Sequence, residues 1–135
     1  FAPPCSEAEW DSPWFSTEFF RGNTNPILLD DGNFLGTFHT VQKDGKMHYY
    51  DNGLYVFEAK PPFKVLRCAI RTFLPAEAAV EPHFRKAGQI KVCFPVGMVR
   101  RGPEEVLISY GDNDSSVKIL KTTVADLLGT TVELY

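Results

Sequence analysis

Residues 26–58 read PILLDDGNFLGTFHTVQKDGKMHYYDNGLYVFE, and the alternation inside this stretch decides the fold class. Four short apolar runs, 26–29, 34–41, 47–50 and 54–58, are separated by Asp30-Asp31-Gly32-Asn33, Lys43-Asp44-Gly45 and Asp51-Asn52-Gly53. Asp-Gly and Asn-Gly pairs supply the positive φ that tight hairpin turns require. Three such turns joining four β-rich runs predict a four-stranded antiparallel meander with no helix between strands.

Downstream the pattern continues. Residues 63–73 are rich in Val, Ile, Cys and Phe and read as a strand; 75–88 read as a loop, with one helical turn at 76–79. Residues 90–94 and 96–99 are strand-like, with Pro95 as an interruption. Arg101-Gly102-Pro103 and Asp112-Asn113-Asp114 read as turns flanking a strand at 105–110, and 117–123 as the next strand. Residues 124–128 predict a short helix ended by Gly129, and 131–135 return to β character. Upstream, residues 1–20 form an irregular lead-in: Pro3, Pro4 and Pro13 oppose a regular element. Its aromatics, Trp10, Trp14, Phe15, Phe19 and Phe20, suit packing onto the domain or a sugar-stacking platform. The segments 34–39 and 106–111 echo one another in aromatic-polar pattern. Repeated β-meanders of roughly 40–50 residues build β-propellers. On that reading residues 21–135 supply about two to three blades of a larger ring. Phe1 in place of Met suits a piece of a longer chain.

The 135 residues carry 14 basic and 17 acidic side chains, a net charge of −3, which argues against nucleic acid as the main partner. No apolar run approaches the roughly 20 residues of a membrane helix. Cys5, Cys68 and Cys93 are too few and too scattered for a disulfide scaffold. Cys68 and Cys93 read as buried apolar thiols in strands, and the compartment stays open. His39, His48 and His83 show no metal-ligand spacing, and no metal or cofactor is expected.

Several residues are placed for chemistry. His39 ends an apolar strand, where a strand delivers a side chain to a cleft; a partnered core histidine is the other reading. Arg21, within Arg21-Gly22-Asn23-Thr24-Asn25-Pro26, is the one cation between Phe1 and Lys43. Such an Arg beside flexible backbone forks onto phosphate or carboxylate, or packs on the surface. Arg100, Arg101 and Lys60 read as solvated. Asp112 and Asp114 suit either a turn or a carboxylate function; no calcium-loop pattern follows them. No serine-elbow, Walker or dinucleotide-binding motif occurs.

Three segments together resemble one family. Residues 20–26 lead into Leu35-Gly36-Thr37-Phe38-His39; His48-Tyr49-Tyr50 runs on to Phe57 and Pro62-Phe63; and Phe94-Pro95-Val96-Gly97-Met98 precedes Tyr110-Gly111-Asp112-Asn113-Asp114. In order and spacing these resemble the five-bladed β-propeller superfamily of glycoside hydrolase family 130, which includes mannoside phosphorylases and glycosyltransferase-like relatives. The resemblance covers residues 19–128 or so. It implies an all-β fold of antiparallel four-stranded meanders, part of a five-bladed propeller, with a mannoside-like carbohydrate bound at the hub. It also implies inverting glycosyl transfer by phosphorolysis, hydrolysis or transglycosylation, with inorganic phosphate or a sugar nucleotide as further ligand. Arg21 and His39 become phosphate or donor contacts. Tyr110, Gly111 and Asp114 become cleft residues, with Asp114 accepting from sugar hydroxyls and Gly111 letting backbone approach the ligand. The family's general-acid Asp matches no residue here and is expected upstream, so the chain alone is expected to be inactive. A non-catalytic glycan-binding β-domain is the alternative.

Overall fold

The computed structural model describes residues 20–44, 47–74, 92–112 and 116–134, with backbone alone at 42–44 and 47–49. The lead-in to residue 19, Cys5, Gly45, the loop 75–91 with His83, and Asn113 and Asp114 lie outside the described residues.

The chain is all-β and antiparallel, as the turn spacing predicts. Strands β1 (Arg21–Gly22) and β2 (Ile27–Leu28) lie end to end along one edge of β3 (Phe34–Asp44). Strand β3 pairs with β4 (Met47–Phe57), and β4 with β5 (Val65–Ala69). That is a four-stranded meander if β1 and β2 count as one interrupted strand. β9 (Thr131–Glu133) adds to the far side of β5, held by Arg67, whose guanidinium reaches Thr131 Oγ1 at 2.9 Å and Glu133 at 3.0 Å. A second sheet follows the order β6 (Cys93–Arg101), β7 (Glu105–Asp112), β8 (Ser116–Thr123). Between β8 and β9 a single turn of helix, α1 (Val124–Leu128), is N-capped by Thr123, whose hydroxyl accepts from Asp126 N–H at 3.1 Å.

The sheets pack face to face. With side chains alternating along each strand, Leu35, Leu54 and Val56 from the first sheet meet Met98, Val106 and Ile108 from the second, and Leu127 of α1 closes one end. Each such side chain contributes about 1.5–3 kcal/mol on burial. The other face of the first sheet carries a second cluster: Phe38, Cys68 and Ala69, with Phe20, Tyr55 and Leu134 against it. Phe20 and Phe38 ring centroids are 4.1 Å apart. Both Cys68 and Cys93 are buried in strands, as their surroundings predict. The outer face of the second sheet exposes Val99, Val117 and Ile119 beside the Glu105–Arg101 and Glu105–Lys121 ion pairs.

Three details correct the sequence reading. Asp51-Asn52-Gly53 is not a turn; β4 runs straight through it, pairing Asp51 with Thr40, Asn52 with His39 and Gly53 with Phe38. Gly53 answers a demand for space rather than for positive φ, since a Cβ there would lie 2.3 Å from Phe38 Cζ. Positive φ is instead used at Gly32 (84°) and Gly102 (71°), in the turns before β3 and after β6. Pro95 does not interrupt β6. The register shifts between Pro95 and Gly97, a bulge on an edge strand where a missing N–H is tolerated. Arg100 is not solvated either: it donates to Leu28 O at 3.0 Å, Pro103 O at 3.1 Å and Asp30 at 2.8 Å, tying β6 to the turn before β3.

Candidate functional site

The register of β1 on β3 places Arg21 directly opposite His39. Opposed residues of an antiparallel pair project to the same face, with Cβ atoms about 4.5–5.5 Å apart. Arg21 is exposed, whereas His39 is only 5% exposed and lies on the face turned toward the second sheet. Its imidazole stacks on Tyr50 at 5.5 Å and meets Phe94 edge-on at 5.0 Å. Burial first, and the Arg21 guanidinium second, push the His39 pKa below its ordinary value, so the ring is neutral near pH 7.

From His39 a line of polar contacts crosses to the second sheet. His39 Nδ1 meets Asn23 Oδ1 in a short hydrogen bond. Asn23 Nδ2 donates to Asn52 Oδ1 at 3.3 Å, and Asn52 Nδ2 to the Cys93 carbonyl at 2.8 Å. Beyond it, Cys93 Sγ lies 3.7 Å from Asp112 Oδ1, and Lys118 Nζ 2.6 Å from Asp112 Oδ2. Asn52 is 1% exposed and Asp112 7%. Buried amides and carboxylates persist when their bonds are met, which this line provides.

The polar segment before β2 is built into the same junction. Thr24 N–H donates to Thr37 Oγ1 at 3.1 Å. Asn25 clasps the Met98 peptide from both sides: its Nδ2 donates to Met98 O at 2.9 Å, and its Oδ1 accepts from Met98 N–H at 3.3 Å. Asn23, Thr24 and Asn25 thus buckle the first sheet to itself and to β6, beside the exposed Arg21.

The structure brings Arg21 and His39 together. Gly111 is one strand away, paired with Phe94, whose ring touches His39; a Cβ on Gly111 would meet nothing within 4 Å. Tyr110 faces inward and packs against the intersheet core, on the opposite side of β7 from Gly111. Asp114 lies outside the described residues. Asn23, Asn52, Tyr50, Phe94 and Asp112 belong to the same polar and aromatic assembly; of these the sequence offered a chemical role only for Asp112, as a carboxylate or a turn. A signal for Asn52 existed. If the hairpin turns at Asp44-Gly45, pairing Asp44 with Met47 places residue 52 opposite residue 39.

An open groove of about 330 Å³ lies elsewhere, lined by Asn25, Gly97, Met98, Val99, Leu107, Ser109 and Ile119. It is mainly apolar and holds none of Arg21, His39, Tyr110 or Gly111. Among the described residues no group of three His, Cys, Asp or Glu side chains could hold a metal ion, and no helix is long and apolar enough to cross a membrane. No protein-family model matches the chain, and no curated protein matches it.

Proposed function

We propose that this chain is a wedge of a larger, carbohydrate-active β-propeller that carries out inverting glycosyl transfer on mannosides or related glycosides. The observation that carries the reading is the Arg21–His39 pair at the end of the Asn23–Asn52 line. A neutral imidazole and oriented amides suit the donors and acceptors of sugar hydroxyls. The adjacent guanidinium suits a phosphate, whether free or on a sugar nucleotide. Tyr50 and Phe94 flank the imidazole with apolar ring surface. The ring-shaped whole draws support from the second sheet, which has an apolar inner face and, on its outer face, a patch of exposed Val99, Val117 and Ile119 that a neighbouring blade would cover.

One observation favours the non-catalytic alternative. Asp112, the carboxylate on the polar line, is held by Lys118 and faces the core, so it is not placed to protonate a leaving oxygen. Two variants of the full-length protein, with the upstream general acid present, separate the readings: His39→Ala and Asp114→Asn. Under the enzymatic reading both abolish mannoside turnover while the circular dichroism spectrum is kept, and Asp114→Asn retains sugar binding. Binding without turnover in the unmutated protein supports the alternative. Unchanged turnover in both variants contradicts the proposal.

A further inference from the structure

We infer that Asn52 and Asn23 act as positioning residues that hold His39 in its Nδ1–H tautomer, so that Nε2 faces the ligand as a hydrogen-bond acceptor for a hydroxyl. The Cys93 carbonyl can only accept, so the atom of Asn52 that meets it at 2.8 Å is its NH₂ group. That turns Asn52 Oδ1 toward Asn23, where it requires a donor, and Asn23 supplies Nδ2 at 3.3 Å. Asn23 is thereby oriented with Oδ1 toward His39 Nδ1. An amide oxygen only accepts, so Nδ1 carries the proton. A neutral ring has one N–H, and Nε2 is left with its lone pair.

Among the described residues the one fully buried side-chain nitrogen or oxygen without a partner is Thr40 Oγ1. His39 hydrogen-bonds through Nδ1, which leaves the Nε2 lone pair for a ligand. Stacking on Tyr50 and the edge contact with Phe94 fix the ring plane. The arrangement favours a neutral hydroxyl as ligand: a carboxylate or phosphate would find a lone pair at Nε2, and only Arg21 would attract it. The hydroxyl-bearing ligand rests on the proposed sugar-binding reading; the tautomer does not.

The test uses the full chain with ¹⁵N-labelled histidine, and long-range proton–nitrogen correlations that show which ring nitrogen of His39 bears the proton. Above the titration of the ring the unmutated protein should show Nδ1 protonated. Asn23→Leu should shift the population toward Nε2–H and weaken binding of methyl mannoside about tenfold, the equivalent of one lost hydrogen bond. Asn23→Asp, which keeps an acceptor facing Nδ1 but offers Asn52 Oδ1 no donor, should return the proton to Nδ1. A proton on Nε2 in the unmutated protein overturns the inference, and this readout stands even where Asn23→Leu does not fold. A folded Asn23→Leu protein with unchanged tautomer also overturns it. Failure of methyl mannoside to bind a protein with the expected tautomer overturns the sugar reading alone.

Discussion

Phe38 lies across Gly53 so closely that the strand pair is built around the missing side chain. The ring is 1% exposed and held between Phe20 and Tyr55, so it has no room to swing away. Gly53→Ala is expected to cost about 1–3 kcal/mol, the range for overpacking a filled core, read from the urea midpoint. Gly36→Ala meets the ring and hydroxyl end of Tyr55 at 2.7–2.9 Å, and Tyr55 is only partly buried, so the smaller loss is expected there. His39 sets a pH dependence. Its folded pKa is lowered, so as pH falls the unfolded chain takes up the proton first. The stability this residue contributes is complete above the unfolded value, about 6.5. It is lost as pH falls below that value toward the folded pKa. Urea midpoints measured between pH 7.5 and 5 should fall on acidification, and His39→Gln should flatten that slope; a midpoint that rises would contradict the neutral buried ring. At this scale the sequence was half legible. His39 and Arg21 stood out by position. Asn52 was obscured, because Asp-Asn-Gly has the same local chemistry in a turn as in a ladder; the hairpin register from Asp44 and Met47, with Cys93 O and the Phe38 ring, decides which it is.

Among the elements, the strands with clear turn chemistry at their ends were readable, and those defined by long-range contacts were not. Asp30-Asp31-Gly32-Asn33 forms the expected turn: Asp31 accepts from the Asn33 N–H at 2.9 Å, which helps hold its carboxyl below the usual range. The helix at 124–128 was found because the run ends at Gly129, whose N–H donates to Ala125 O at 2.9 Å. The course of β6 through Pro95 was not legible. A proline argues against a central strand, and nothing local says that this strand lies at an edge with a bulge to absorb it. Asn25 is the element-scale clamp, since its amide pairs with the Met98 backbone as a neighbouring strand would. Asn25→Ala should lower stability by about 1 kcal/mol and raise amide exchange at Met98 more than at Ile108. Equal exchange at the two positions would remove Asn25 from that role.

Among the described residues, one sheet face exposes apolar side chains to solvent. Val117 is 84% exposed and Ile119 69%, on the edge strand β8, and Val99 on the opposite edge strand β6 shares their face. Exposed apolar edge strands promote association. The chain studied alone should therefore self-associate with rising concentration in sedimentation experiments. Val117→Lys with Ile119→Lys should reduce this without unfolding the protein, since neither side chain is in the core. The all-β, antiparallel architecture was legible from the spacing of turns. The packing of the two sheets was not, because it depends on Asn25 and Arg100 reaching across some 70 residues of chain, to Met98 and to Leu28. The account centres on the Arg21–His39 pair as the place where a sugar binds. The most direct measurement is a crystal structure of the protein soaked with methyl mannoside. Sugar hydroxyls should lie within hydrogen-bond distance of His39 Nε2 and the Arg21 guanidinium. Sugar seated instead in the groove between Asn25, Gly97 and Ile119, with His39 untouched, would contradict it.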